Sequence, residues 1–221
     1  MAQVDKEKLT RERIIEAAGR LFAEKGFKET TIRDICERAD ANVAAVNYHF
    51  RDKENLYEEI FRYIFDEITR KFPIDENLGG AKSNEERLYA FVSTLLKRMH
   101  DPEKPAWHGI LFSRERMNPR IKVHSFFKNE VMKNRKILFS VIGDLLGPGA
   151  PPDQVKLCTE SVISQVTFQG LIREEHAPPF FREEPLTAEM IEVVARHITE
   201  FSLGGIKHIR KSDTRSKGKK R

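Results

Sequence analysis

The 221-residue chain is poor in cysteine, with Cys36 and Cys158 alone, and it has no long uninterrupted hydrophobic run. The two cysteines are far apart, and no Cys-x-x-Cys motif occurs. Each stands among apolar residues at helical spacing, which favours small buried side chains in a reducing compartment over a disulfide or a redox sensor. No segment has the length of a membrane span, and the amino terminus is too charged for a signal peptide. We therefore expect a cytoplasmic protein that does not contact a membrane.

Motifs of common catalytic and metal sites are also missing from the sequence. There is no Gly-rich phosphate loop, no His-Glu-x-x-His, no Gly-x-Ser-x-Gly and no typical spacing of carboxylates and histidines for a metal. His100 and His108 flank a proline-containing break, which is only weak support for a zinc pair. We therefore expect no enzyme activity, no catalytic residue, no metal and no cofactor.

Two short amphipathic helical patterns, joined by a tight turn, occupy residues 31–50. The first has the i, i+3, i+4, i+7 spacing of a helix with one buried face, formed by Ile32, Ile35, Cys36 and Ala39. Thr31 marks its start, with Asp34 three residues later as in a capping box. Asp40 then breaks the pattern, and Asn42 is a suitable cap for a second helix over 43–49. The pattern predicts a helix-turn-helix.

The second helix has little charge and little bulk, so it can lie close to another surface. Val46 and Phe50, four residues apart, are the predicted anchors to the core. The small Ala44 and Ala45 side chains can touch thymine methyl groups, and an Asn amide such as that of Asn47 can bond to a base edge. Tyrosine hydroxyl and imidazole groups suit phosphate oxygens. The pattern therefore predicts DNA binding, and the alternative is an ordinary three-helix unit with Tyr48 and His49 half-buried in its core.

The segment resembles the DNA-binding headpiece of TetR-type transcriptional regulators over roughly residues 10–60. The resemblance is carried by Gly26-Phe27, Thr30-Thr31 and Asn47-Tyr48-His49-Phe50, followed by Asp52-Lys53-Glu54-Asn55-Leu56. It implies that phosphate contacts come from Thr31, Tyr48, His49 and Lys53, and that Asn42, Ala44, Ala45 and Asn47 face the bases. Asp40 stands where the family usually has a turn glycine, and Ala44-Ala45 replaces a commoner polar or glycine-containing pair.

The net charge of +5 is unevenly distributed. Residues 1–54 have eleven basic and eleven acidic residues, whereas residues 207–221 have eight basic residues and one acidic residue. DNA binding must therefore rest on local geometry instead of the global charge. Residues 210–221 are predicted to be a disordered basic tail. This tail is either a solvated end without a role or a mobile arm that raises non-specific DNA affinity.

The rest of the chain also has helical periodicity and no strand pattern of any length. Helices are predicted near 11–25, 56–72, 84–99, 106–116, 119–146, 153–173 and 187–209, which makes about nine with the two described above. The last two carry apolar residues on more than one face. Such helices suit a dimer seam in which each subunit contributes two helices to a four-helix bundle, as the resemblance also implies. A helix central within one chain is the alternative.

Aromatic and histidine residues are common in the middle of the chain. A small-molecule site needs an apolar pocket with a few polar groups. The predicted pocket lining is Trp107, His108, Phe112, Phe127, Gln165, Phe168 and Gln169. Aromatic residues at helical spacing are more often plain core, which is the alternative for each. The phenylalanine content suggests an aromatic or lipophilic effector.

Together these patterns predict an all-α protein with three domains: a three-helix headpiece over 1–54, a helical effector-binding and dimerising domain over 55–209, and the tail. The predicted function is a homodimeric transcriptional regulator, most simply a repressor released from a palindromic double-stranded operator by a small effector. The alternative is a constitutive DNA-bound adaptor whose C-terminal domain binds a protein partner.

Overall fold

The computed structural model describes residues 2–173, 180 and 182–218, and within them no side chain is described at 2–6, 121, 122, 124, 127 or 213–218. These residues form ten α-helices and no strand, which confirms the all-helical prediction. The helices are α1 (Ala2–Lys25), α2 (Ile32–Ala39), α3 (Val43–Phe50), α4 (Lys53–Lys71), α5 (Ile74–Gly79), α6 (Asn84–Met99), α7 (Ala106–Met117), α8 (Ile121–Leu146), α9 (Pro152–Leu171) and α10 (Ala188–Gly218).

The helix-turn-helix is formed by α2 and α3, as predicted. Thr31 caps α2 through a complete capping box with Asp34, and Asn42 caps α3. Between them Asp40 adopts a left-handed backbone with φ of 47°. Asp tolerates this conformation better than most non-glycine residues because its short polar side chain can bond locally. The unusual Asp at the turn is therefore compatible with the tight connection.

The first compact unit comprises Met1–Ile68 and Glu103–Lys128. Its core is built from α1 to α4 together with α7 and the start of α8. The largest fully buried side chains there include Ile14, Phe22, Ile35, Leu56 and Phe61. These positions are apolar at helical spacing, so burying one face of each helix forms a common core. The unit therefore anchors α3 to a shared hydrophobic core through Val46 and Phe50.

The second compact unit comprises Thr69–Pro102 and Asn129–Arg221. Its core is supplied by α5, α6, α9, α10 and the later turns of α8, with Leu88, Phe91, Ile142 and Val166 fully buried. Helix α6 packs against both α9 and α10. This unit is a helical bundle with its own hydrophobic core.

Packing groups residues 103–128 with the headpiece, whereas the sequence prediction placed them in the C-terminal domain. The reason is a close approach of α7 to α1, where the Trp107 ring lies directly over Gly19. Helices α4 and α8 each contribute residues to both units. The functional boundary at residue 54 stays a prediction.

Two further elements differ from the sequence prediction. Helix α5 was not predicted, because its six residues are too few to show a periodic pattern. Helix α10 is predicted to end near Ile209, and in the structure it continues to Gly218; the predicted disorder of the basic tail stays a prediction. Lys and Arg are good helix formers, and their charge is favourable near a helix C-terminus. Residues 219–221 of the predicted tail lie outside the described residues.

Both cysteines are buried and neither forms a disulfide, as predicted. Burial raises the pKa of the Cys36 and Cys158 thiols, because an apolar environment disfavours the thiolate. Within the described parts of the chain, no helix has both the length and the apolar character needed to span a membrane.

Candidate DNA-binding site

Helix α3 presents a polar face to solvent because two apolar side chains anchor its opposite face. Val46 is fully buried and Phe50 is 3% exposed. Asn47 is exposed, and Tyr48 is 74% exposed with its ring edge-on to the half-buried His49. Tyr48 is thus not a core residue. The outward face of α3 offers an amide, a phenol and an imidazole to a partner.

Thr31 and Asn42 hold the starts of α2 and α3. The Thr31 hydroxyl accepts a hydrogen bond from the Asp34 amide at 3.1 Å, and the Asn42 Oδ1 atom accepts one from the Ala45 amide at 2.7 Å. The Thr31 hydroxyl proton and the Asn42 Nδ2 group are not used in these bonds and can still donate. Each residue therefore fixes the backbone of a helix and has a donor that these capping bonds do not use.

Lys53, the first residue of α4, has a structural role that the sequence did not suggest. Its Nζ atom donates to the carbonyl oxygens of Phe27 and Thr30, at 3.0 and 2.9 Å. An ammonium has three donors, so these two bonds leave one N–H donor that they do not use. Asp52 caps the same helix by accepting a hydrogen bond from the Asn55 amide at 2.8 Å.

The remaining two predicted DNA-contacting residues are Ala44, which is exposed, and Ala45, which is half-buried. All eight predicted residues therefore lie on α3, at the caps of α2 and α3, or at the first residue of α4. The structure brings them to neighbouring elements of one compact unit. Their roles toward DNA stay predictions.

The described residues among the seven predicted to line an effector pocket belong to both compact units. Trp107 and His108 are buried on α7, and Phe112 packs edge-on against Phe61 in the first unit. Gln165, Phe168 and Gln169 belong to α9 in the second unit, and the side chain of Phe127 lies outside the described residues. Gln165 donates to Ser161 and Ser202, and Gln169 accepts from Arg173. The effector site stays a prediction.

A cleft of about 340 Å³ lies in the first unit, and none of the predicted effector residues lines it. Its walls combine the aromatic Phe22, Phe27 and Tyr57 with the cationic Lys25, Lys28, Arg114 and Arg120. Gly26 at the end of α1 also lines it, with φ of 85°, a conformation that favours glycine. The cleft lies beside the loop that precedes α2.

Three of the residues that line this cleft belong to a group of charged and aromatic side chains that the sequence did not identify. We call it the Phe27 cluster, and its members are Phe27, Lys53, Glu54, Tyr57, Glu115 and Arg120. The Arg120 guanidinium lies 3.4 Å from the centroid of the Phe27 ring, and the Lys53 ammonium lies 4.4 Å from it. The only sequence signal was Gly26-Phe27 as a helix end, and nothing near Arg120 pointed to Phe27.

Glu115 is the buried member of the Phe27 cluster, at 4% exposure. Its carboxylate accepts hydrogen bonds from the Arg120 backbone amide at 2.5 Å and from the Tyr57 hydroxyl at 3.3 Å. Burial raises the pKa of the Glu115 carboxyl despite these bonds. Burial, with Glu115 nearby, also raises the pKa of Tyr57, so Tyr57 keeps its proton and remains a donor.

Comparisons with known proteins agree with this geometry. Residues 14–60 match the family described as bacterial regulatory proteins, tetR family. Residues 84–206 match the C-terminal domain of the HTH-type transcriptional dual regulator CecR. The two matches divide the Phe27 cluster: Glu115 and Arg120 fall in the second match, and the other four members fall in the first.

The similarity to individual curated relatives covers less than half of this chain. The probable HTH-type transcriptional regulator YttP of Bacillus subtilis (strain 168) is 32% identical over 92 residues, which are 42% of this chain and 44% of YttP. The HTH-type transcriptional repressor KstR2 of Rhodococcus jostii (strain RHA1) is 32% identical over 84 residues, 38% of this chain and 40% of KstR2. The chain thus matches less than half the length of these curated relatives.

The fold extends further than the sequence similarity. A TetR transcription regulator from Haloarcula marismortui ATCC 43049 superposes with a TM-score of 0.63 at 19% identity, covering 87% of this chain and 96% of that one. At this identity the likeness concerns the fold alone. Since the CecR C-terminal match covers more than half of the chain and follows a matched headpiece, the chain belongs to the TetR family of regulators and carries a CecR-type C-terminal domain.

Proposed function

We propose that the protein is a homodimeric transcriptional regulator that binds a near-palindromic operator with its two α3 helices and is released by a small effector. The observation that carries this proposal is the exposed polar face of α3, held by the buried Val46 and Phe50 within a matched TetR headpiece. A dimer would place its two recognition helices in successive major grooves. The headpiece has no net charge, so its affinity for DNA would come from specific contacts more than from long-range electrostatic attraction.

The contacts fall into two kinds. Asn47 and Asn42 would bond to base edges, and the methyl groups of Ala44 and Ala45 would contact thymine methyls. Phosphate oxygens would be bound by the hydroxyls of Thr31 and Tyr48, by the His49 imidazole and by the remaining donor of Lys53. Base contacts set which operator is chosen, whereas phosphate contacts fix the position of the headpiece on any duplex.

Two exposed stripes in the second unit support homodimerisation. On α9 the exposed Leu157, Ser161, Ser164, Phe168 and Leu171 follow one another at intervals of four, three, four and three residues. On α10 the same kind of spacing joins the exposed Met190, Val193, His197 and Phe201. Residues at these intervals lie on one face of a helix. Large apolar side chains on such a face suit a seam between two copies.

The effector would act by preferring a dimer whose headpieces do not fit the operator. Only a difference in affinity between the two states shifts their populations, and about 5.5 kcal/mol moves them from 1:99 to 99:1. Helix α4 begins beside α3 and continues into the second unit. It is therefore the element through which we expect the C-terminal domain to act on the headpiece.

A second candidate is a constitutive DNA-bound adaptor. The burial of Trp107 and His108 favours it, because these residues were expected in an effector pocket. Exposed apolar residues on α8, Val131, Met132 and Phe139, would then contact a protein partner. Under this candidate, operator binding would not respond to any small molecule.

The test is a selection of binding sites from random duplex DNA with the purified full chain. We expect a palindromic motif, and the selected operator then permits a screen of aromatic and lipophilic compounds for release. A selected operator with no releasing compound would favour the adaptor. If folded protein enriches no sequence at low salt, the proposal of specific DNA binding fails.

A further inference from the structure

We propose that Arg120 is a positioning residue for DNA binding, which holds the loop before α2 against the first turn of α4. The inference rests on the proposed function, because its readout is operator affinity. Arg120 lies between α7 and α8 and belongs to the segment that matches the CecR C-terminal domain. Its side chain contacts residues of the headpiece match, in the same compact unit.

Three separate contacts fix Arg120. Its guanidinium lies 3.4 Å from the centroid of the Phe27 ring, and its Nη1 atom lies 2.8 Å from Glu54 Oε1. Its backbone amide donates to Glu115 Oε1 at 2.5 Å. A guanidinium stacked on an aromatic ring and paired with a carboxylate uses both its planar face and its donors. Arg120 therefore contacts the loop before α2 and the first turn of α4 at once.

The Phe27 backbone and ring are held from the headpiece side as well. Lys53 donates to the carbonyls of Phe27 and Thr30, so the first residue of α4 holds both ends of the segment that leads into α2. The Tyr57 ring packs edge-on against Phe27, with centroids 5.0 Å apart. Thr31, the residue after Thr30, caps α2. A displacement of Phe27 would therefore be transmitted to the start of the helix-turn-helix.

The position of Arg120 depends in turn on α7 and α8. It is the last of three residues between Met117 and Ile121, and Pro119 before it restricts the backbone. The buried Glu115 on α7 binds the Arg120 amide and the Tyr57 hydroxyl, which is on α4. So short a connection leaves Arg120 little freedom to move independently of α7 and α8. We infer that a shift of these helices reaches the DNA-binding elements through Arg120.

A positioning role differs from a phosphate contact in its dependence on salt. Each phosphate contact by a cation contributes to the slope of log affinity against log salt. Removing a positioning residue instead lowers the affinity for the operator while the slope stays the same. Arg120→Lys is the conservative variant, because it keeps a cation near Phe27 and Glu54.

The experiment measures binding of full-length variants to the selected operator and to random duplex DNA at several salt concentrations. For Arg120→Ala we expect about a tenfold loss of operator affinity, an unchanged salt slope and a smaller loss on random DNA. Arg120→Lys should recover most of the affinity. Glu54→Gln, which removes one contact with little change in shape, should cause a smaller loss in the same direction.

The matched control is Arg87→Ala, which breaks an arginine–carboxylate ion pair in the second unit. Arg87 Nη1 lies 3.0 Å from Asp144 Oδ2, and this pair is about as exposed as the pair of Arg120 and Glu54. The variant should leave operator affinity unchanged. The inference is overturned if folded Arg120→Ala binds the operator like the wild type, or if its salt slope falls together with equal losses on both DNAs. If the wild-type protein selects no operator, the proposed function fails first and the inference fails with it.

Discussion

Asn42 and Asn47 lie at the start of α3 and within it, but only the Asn42 side chain caps the helix. The Asn42 side chain accepts from the Ala45 amide, whereas Asn47 is an exposed residue inside α3. Removing a capping side chain costs about 1 kcal/mol. Exposed positions without such a bond usually change stability by less than about 0.5 kcal/mol.

We therefore expect Asn42→Ala to lower the free energy of unfolding by about 1 kcal/mol. Asn47→Ala should leave it nearly unchanged and instead alter which operator is selected. Chemical denaturation of both variants, followed by site selection, separates the two roles. Equal free energies of unfolding for the two variants would contradict the prediction that the Asn42 cap stabilises the protein.

Glu115 gives the first unit a dependence on pH. Because burial raises the pKa of its carboxyl in the folded protein, the folded state binds a proton more readily than the unfolded state. Its favourable contribution is complete below the ordinary value of 4.5 and is lost as the pH rises through the raised folded value. The groups that face it are Tyr57, Arg120 and Glu54.

Glu115→Gln should remove this dependence, since the amide carries no charge and its oxygen can still accept from the Arg120 amide. Relative to the wild type, the variant should gain thermal stability as the pH rises above 4.5, and the difference should then level off. Melting temperatures across this range measure it. A difference that does not vary with pH would refute the account.

At the scale of elements, the close approach of α1 to α7 depends on the glycine at position 19. A Cβ atom at Gly19 would lie 2.3 Å from Trp107 Cζ3, so the buried indole would have to move. On α7 itself, a Cβ at Gly109 would meet no atom within 4 Å. The two glycines thus test packing and helix propensity separately.

Gly19→Ala should destabilise the protein by about 1 to 3 kcal/mol, the usual cost of overpacking. Gly109→Ala should be neutral or stabilise it by up to about 1 kcal/mol, because alanine is the better helix former. Urea denaturation followed by tryptophan fluorescence reports on both, since Trp107 is the single tryptophan. Stabilisation by Gly19→Ala would show that α1 and α7 are not packed as described.

Helix boundaries were predictable where the signal is local. The Thr31, Asn42 and Ser83 caps mark the starts of α2, α3 and α6, because a cap depends on residues within one helical turn. Helix α5 has too few residues to show a period. The apolar periodicity of α10 stops near Ile209, and the helix itself continues through lysine and arginine residues, which are good helix formers.

At the scale of the whole molecule, the apolar stripes of α9 and α10 predict a dimer. Phe201 is 67% exposed on one stripe. Phe201→Glu should place two like charges at the seam, so we expect a smaller mass in solution and a loss of operator binding. Phe139→Glu, on α8 and 40% exposed, is the control and should leave the mass unchanged. Sedimentation velocity makes the comparison, and an unchanged Phe201→Glu dimer would refute the seam.

The sequence by itself determined the helical class, the helix-turn-helix and the residues on its outer face. These features follow from spacings of three and four residues and from caps, which are interactions between near neighbours in the chain. The resemblance to TetR-type headpieces, carried by the same local residues, supplied the full set of eight candidate DNA-contacting residues.

Only the tertiary structure decided which side chains from distant segments meet. Arg120 and Glu54 are 66 residues apart, and no local pattern relates them. The same holds for Trp107, which the sequence assigned to a pocket and which the fold packs on Gly19. Periodicity shows that a side chain is turned inward, but the atoms that surround it depend on how the helices pack.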